Sequence, residues 1–366
     1  MTIVVSGVAA CTPAGLHARS TCAALRGGIG DLGELTTHSV DSELFDKEPM
    51  TGGRVPTEWL HGEPQEEQWP GHERFGIPPP PPGNTQVPPG IERVLELCGM
   101  AISEIKHDAD LAQVRPSEYR VYVGLNELEP APMVLDELRR RLGGETERYT
   151  LETTGRAAGL SLLERAVKEL REGTIQGALV GGVDSLIRQP IAEKLDGERR
   201  IRSATAPEGF NPGEAAAFIY LEEAASAQQR GRTAYANVSA VAVAEEPSAG
   251  TEKPNRATGL GKALRAVRLE AGLEAMPLVV CDLNGERPRA HEWMLAATRA
   301  LGDLHGDEEV WHPADCIGDS GAAAGIVDLV WASVALQRGY APLARALVWG
   351  ASDGALRAAA VLDPHR

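Results

Sequence analysis

Tyr149-Thr-Leu-Glu-Thr-Thr-Gly-Arg-Ala-Ala-Gly-Leu160 opens a helix that runs on to Arg171, and Gly177-Ala-Leu-Val-Gly-Gly-Val-Asp-Ser185 follows it as a strand. The strand is apolar without alternation, so both its faces are covered, as in a parallel strand packed under helices. Leu278-Val-Val-Cys-Asp282 has the same character. Outward from this pair the chain keeps alternating. Ile3–Gly7, Tyr119–Gly124, Ala216–Leu221, Ala236–Ala244 and Ala346–Trp349 read as strands, and the chain closes with Leu356–Leu362. Helices fall over Arg19–Arg26, from Ile91 (Val94, Leu95, Cys98, Ile102 and Ile105 on one face), Met133–Leu142, Glu222–Arg230, Leu260–Ala271, Ala290–Leu301 and Ala322–Leu336. Such alternation predicts an α/β protein with buried sheets. Two similar halves, 1–230 and 231–366, fit a duplicated α/β unit packed as one body, although no sequence repeat is visible.

Composition narrows the partners. The 366 residues are 43 % hydrophobic and 24 % charged, with a formal net charge of −16. An acidic surface argues against nucleic acid and against an anionic membrane. No 18-residue apolar run is present, so a spanning helix is not expected. Met1-Thr-Ile-Val-Val-Ser-Gly7 lacks a basic segment and reads as a first strand rather than a leader. The five cysteines (Cys11, Cys22, Cys98, Cys281, Cys316) are odd in number and scattered, which predicts reduced thiols and a cytoplasmic location. Aromatic residues make up only 4 % while glycines number 40, so the core must be built from small side chains.

Three motifs have plain structural explanations. Gly28-Ile-Gly-Asp-Leu-Gly33 matches a dinucleotide fingerprint in letters, but it follows a helix rather than a strand and reads as a glycine-rich cap and turn. Pro78-Pro-Pro-Pro-Pro-Pro-Gly-Asn-Thr-Gln-Val-Pro-Pro-Gly90 reads as a stiff extended connector over 76–90, within an aperiodic stretch from Thr36 to Gly90. His312-Pro-Ala-Asp-Cys316 offers one His and one Cys, too few for a zinc set. No cofactor and no metal are expected.

The chain resembles β-ketoacyl-acyl-carrier-protein synthases along nearly its whole length. The resemblance is carried by Val4-Val-Ser-Gly-Val-Ala-Ala-Cys-Thr-Pro-Ala-Gly15, by Gly173–Ser185, and by Ile317-Gly-Asp-Ser-Gly-Ala-Ala-Ala-Gly325. It is carried too by Val348-Trp-Gly-Ala-Ser-Asp-Gly354. The most specific match is Gly209-Phe-Asn-Pro-Gly-Glu-Ala-Ala-Ala-Phe218, with Leu221-Glu-Glu-Ala and Ala236-Asn-Val after it. The resemblance implies a thiolase-like five-layer αβαβα sandwich, in which Glu214 is a buried hydrogen-bonding turn residue and Trp349 fills space near the active site.

It also implies where chemistry should sit, and there the chain departs. A condensing enzyme needs a thiolate at the start of the helix, where the helix N-terminus lowers the thiol pKa. Arg156 occupies that position, and a guanidinium is no nucleophile. The family's two histidines, which hold a carboxylate and stabilise an enolate, are matched by Asn284 and Asp319. His291, nearby in sequence, is expected on the following helix and out of reach. Arg156 is read either as an anion binder at the helix N-terminus or, preferred, as a filler paired with Asp319, Glu152 or Glu286. The segment between Val123 and Tyr149 is shorter than in catalytic relatives, which removes cover from an acyl pocket.

The resemblance therefore implies no catalytic residues: Arg156, Asn284 and Asp319 are degenerate positions, and any activity that survived would be acyl transfer of the condensing class. Two roles follow. One is an adaptor or scaffold, like the short degenerate ketosynthase-like proteins accompanying type VI secretion effectors. The other is a chain-length-factor-like partner of an active ketosynthase in polyketide or fatty-acid-type synthesis. The shortened segment favours the first. Either role implies a protein partner: a homodimer or a ketosynthase-like heterodimer joined along Glu147-Arg-Tyr-Thr-Leu151, with an acyl carrier protein or a secretion effector as further candidates.

Overall fold

A computed structural model describes residues 1–40, 48–56, 90–304 and 309–365. The proline run of the expected connector lies outside the described residues. Twelve strands are present among those described: β1 (Ile3–Cys11), β2 (Leu32–Val40), β3 (Glu48–Gly53), β4 (Tyr119–Gly124), β5 (Tyr149–Glu152), β6 (Gly177–Ser185), β7 (Glu214–Glu223), β8 (Ala236–Glu245), β9 (Leu278–Cys281), β10 (Val310–Trp311), β11 (Ala346–Ala351) and β12 (Leu356–Pro364).

Ten of them join in one sheet, in the order β10-β9-β11-β12-β8-β1-β7-β6-β4-β5. Outward from the seam between β1 and β8, each side places its first, fifth, fourth, second and third strand in that order. The senses match as well: β4 runs parallel to β5 and β6 while β7 opposes β6 and β1, and β9 runs parallel to β10 and β11 while β12 opposes β11 and β8. At the seam only Val4–Asn237 and Val5–Ala236 pair. The two runs of strands otherwise part and take helices between them.

Those helices are α4 (Ala158–Arg171) and α10 (Ala324–Arg338), which touch strands of both runs. Every residue of α10 from Ala324 to Leu336 is buried, as an all-round apolar helix in a central layer must be. Outside, α2 (Ile91–Asp108) covers β1 and β7, while α7 (Thr258–Ala271) covers β8 and β12 and α8 (Arg287–Leu301) packs on α7. The result is the αβαβα layering that the resemblance implied. Both strands expected at the centre are there, β6 between β7 and β4 and β9 between β10 and β11.

Other parts differ from the sequence reading. The stretch after Thr36 is not wholly aperiodic, because β2 and β3 pair as an antiparallel hairpin. A helix α5 (Gln189–Gly197), the two-residue β10 and the short helix α9 (Ala314–Ile317) carried too little periodicity to be read. The glycine motif at 28–33 closes α1 (Ala18–Arg26). Gly28 has φ +62° and donates to Leu25 O, and Ile29 donates to Ala24 O, the two bonds of a Schellman cap. Trp349 corrects the expectation of a space-filler near the site. It stacks on Trp293 at 5.1 Å among the residues of α7 and α8, because alternation along β11 turns it to the outer helices.

Candidate functional site

The turn before α4 is made by Gly155, whose φ of +78° only glycine adopts freely, and it delivers Arg156 into the space between the two runs of strands. Asp319 arrives from the other run. Its backbone is clamped to the Asn211–Gly213 segment: it donates to Asn211 O (2.8 Å) and accepts from Gly213 N (2.8 Å). The glycine-rich turn around Glu214 thus sets the height of Asp319. Asn284 comes from the loop after β9 and holds that loop by accepting from Glu286 N (3.0 Å).

The three positions singled out from sequence meet. Arg156 Nε lies 3.1 Å from both oxygens of Asp319, and a terminal nitrogen lies 2.7 Å from Oδ2. Asn284 Nδ2 donates to the same Oδ2 at 2.6 Å, and Gly321 N–H donates to Oδ1 at 2.8 Å. Arg156 and Asp319 are both buried. Burial alone would raise the Asp319 carboxyl, but the Arg156 guanidinium outweighs it and holds the group below its ordinary range. Burial likewise opposes the charge on Arg156, and Asp319 and Asp353 more than compensate, so it stays charged.

Sequence reasoning missed half of the cluster. Asp353, on the turn between β11 and β12, accepts from Arg156 (3.0 Å), Arg289 (2.6 Å) and Arg200 (2.8 Å). Glu286 is held by Arg200 through two bonds (2.7 and 2.9 Å) and by Arg289 (3.2 Å). Burial pushes the Glu286 and Asp353 carboxyls up, yet their arginines leave both below the usual carboxylate range. Of the expected partners of Arg156, Asp319 is in direct contact and Glu286 acts at one remove through Asn284. Glu152 is instead taken by Thr154 Oγ1 (2.8 Å). Arg200 sits beside acids far away in sequence, and Arg289 joins its near neighbour Glu286 to the distant Asp353.

The remaining sequence candidates fall elsewhere. Glu214 is fully buried and accepts from Val55 N (2.8 Å), Arg93 Nε (2.8 Å) and Ser185 Oγ (2.7 Å), a structural turn residue as expected. His291 is exposed on α8. His312 pairs with Asp315 at 3.1 Å while Cys316 is buried.

Chemically, the cluster offers charge but no nucleophile. Among the cysteines, Cys281 lines the cavity beside Asp319, and burial together with Asp328 and Asp282 pushes its thiol well above the ordinary range, so it is no thiolate near neutrality. That cavity measures about 10 Å³, room for one water, and is lined also by Asp282, Ser320 and Asp328. Burial pushes the Asp328 carboxyl well above its ordinary range, and both of its oxygens lack a protein partner. A cavity of this size takes no acyl chain.

Solved structures share this architecture over the whole chain. The ishigamide ketosynthase/chain length factor superposes with a TM-score of 0.76 at 18 % identity, covering 100 % of this chain and 99 % of that one. A β-ketoacyl synthase from Burkholderia phymatum superposes with a TM-score of 0.73 at 16 % identity, covering all of both chains. In sequence, the chain is 32 % identical over 218 residues to a Streptomyces coelicolor protein named as actinorhodin polyketide beta-ketoacyl synthase 2, covering 55 % of this chain and 51 % of that protein. The chain has the thiolase fold of these ketosynthases, and in sequence it is similar to polyketide β-ketoacyl synthases. The chain is also 28 % identical over 207 residues to a polyketide beta-ketoacyl synthase 1 of Streptomyces virginiae, covering 53 % of this chain and 49 % of that one. It spans about half the length of the curated relatives it matches. No protein-family model matches it. No helix among the described residues is long and apolar enough to cross a membrane.

Proposed function

We propose that this chain is a non-catalytic subunit of a polyketide-type synthase, a chain-length-factor-like partner for a ketosynthase that supplies the thiolate. The observation that carries the reading is the Arg156–Asp319–Asn284 contact. The space where an acyl-enzyme would form holds a buried guanidinium bonded to two carboxylates, Asp319 and Asp353. The sequence relatives, named as polyketide β-ketoacyl synthases, favour this partner class over a secretion effector. No residue of the cluster favours the adaptor role, which the shortened middle segment had suggested.

The partner would join at β5. Tyr149–Glu152 pairs on one side with β4 and ends the sheet, so its other edge is available among the described residues. A short edge strand with open N–H and C=O groups is a site for strand pairing. In the same reading the subunit works in the cytoplasm and reaches a carrier protein through its ketosynthase rather than through its own acidic surface. Co-expression with a polyketide-type ketosynthase from the same source, followed by light scattering, tests the proposal. A one-to-one heterodimer is the expected result. Separate elution of the two chains, with the ketosynthase fully active alone, would overturn it.

A further inference from the structure

The cleft cluster is asymmetric. Asp319 and Glu286 lie inside it, each tied to the arginine that anchors it. Asp353 lies at its mouth, on the β11–β12 turn, with 47 % of its side chain open to solvent. One carboxylate there takes four guanidinium bonds. Oδ1 accepts from Arg156 (3.0 Å), Arg289 (2.6 Å) and Arg200 (3.2 Å), and Oδ2 accepts from Arg200 (2.8 Å).

Each donor is held without Asp353. Arg156 is gripped by Asp319 and Arg200 by Glu286. Arg289 is fixed by Ala351 O (2.6 Å) and Glu286. Phe210 lies under two of them, 5.7 Å from the Arg156 guanidinium and 5.4 Å from that of Arg200. The donors are therefore preorganised, and converging guanidiniums suit a carboxylate or a phosphate. Another acid near the rim is Glu198, 3.7 Å from Arg200, too long for a hydrogen bond and partly open to water, and Glu127 lies beside Gly354 on the same turn. Asp282, deeper in, lies 3.4 Å from Arg289 on the side away from the mouth, and burial pushes its carboxyl up.

We propose that Arg156, Arg200 and Arg289 form an oxyanion pocket at the mouth of the cleft, which the chain keeps closed with its own Asp353 carboxylate. Its ligand class is the carboxylate or phosphate end group of a small molecule. A tethered carboxylate competes at a high effective concentration, so free anions do not enter while the turn is in place. Withdrawing the turn, or shortening residue 353, opens the pocket. This inference concerns the pocket alone and holds whichever partner the chain has.

The test uses the full chain with Asp353→Ala, Asp353→Ser and the double variant Asp353→Ala/Arg200→Gln. Thermal unfolding and calorimetric titration are run with sodium acetate, inorganic phosphate and sodium chloride at matched ionic strength. Asp353→Ala and Asp353→Ser are expected to bind acetate or phosphate at least about tenfold more tightly than wild type does, with a rise in Tm that chloride does not give. Comparison of the acetate and phosphate arms tells which end group fits better. The double variant is expected to lose the response. A response to acetate and phosphate no larger than to chloride in both single variants would overturn the proposal. So would equal binding by wild type, or failure of both single variants to fold in any of the three salts. Folding in acetate or phosphate but not in chloride would support it.

Discussion

Two buried ion-pair centres lie on either side of the Asn211–Glu214 turn, and they are built on opposite plans. At Glu214 the acid is sealed from solvent and meets one arginine, Arg93, with Val55 N–H and Ser185 Oγ completing its bonds. At Asp319 the pair is one edge of a cluster of three arginines with Asp319, Glu286, Asp353 and Asp282 that reaches solvent at Asp353. The first centre has no spare partner. The second has several: loss of Asp319, Glu286 or Asp353 leaves each arginine another acid, although Asp319 itself is ion-paired to Arg156 alone. The first holds a turn; the second fills a cleft.

That contrast orders the expected effects of substitution. Glu214→Ala leaves the buried charge of Arg93 without its carboxylate, with Val55 O still accepting from it, and should cost about 3–5 kcal/mol of unfolding free energy in urea titrations. A loss below about 1 kcal/mol would mean that the Glu214 centre is as redundant as the cleft.

Asp184 lies between the two. It is fully buried and accepts from Ser185 N–H (2.8 Å), Ala322 N–H (2.8 Å) and Asn126 Nδ2 (3.1 Å). Burial pushes its carboxyl up to about 6. A raised folded-state pKa means that the folded chain holds the proton more tightly than the unfolded chain. Its stabilising contribution is therefore complete below about pH 4 and is lost as pH rises through about 6, a change of about 3 kcal/mol. Wild type should lose stability relative to Asp184→Asn across that window. A gap between them that does not vary from pH 4 to pH 7 would remove Asp184 as the cause.

Asp319→Asn should cost less than Glu214→Ala, about 2 kcal/mol, because Arg156 keeps Asp353. Replacing the pair by Arg156→Met and Asp319→Leu together should come near neutral, since a buried ion pair often does no better than apolar groups of similar size. Equal losses at Glu214 and Asp319 would break the comparison between the centres. Asp353→Ala should have the smallest effect, about 1 kcal/mol in chloride buffer, because half of the carboxylate is already in water.

The same contrast explains what the sequence made legible. The buried strands β6 and β9 announced themselves because two covered faces demand unbroken apolar runs. Glu214 was readable because its turn is a local pattern. Arg156, Asn284 and Asp319 were found through the resemblance, and they do meet in space. Arg200, Arg289 and Asp353 were not found, because their partnership exists only once the loop after α5, the start of α8 and the β11–β12 turn are brought together. Trp349 was placed near the site through the resemblance of its strand, whereas the side-chain alternation of β11 turns it to the outer layer. The β2–β3 hairpin was missed because Gly33, Gly52 and Gly53 obscure any two-residue alternation.

The central claim is that the cleft holds charge in place of acyl chemistry. Intact-mass spectrometry after incubation with acyl-thioester and malonyl-carrier substrates tests it most directly. An unchanged mass is the expected result. A stoichiometric acyl adduct mapped to any residue from Thr153 to Ala158 would contradict it.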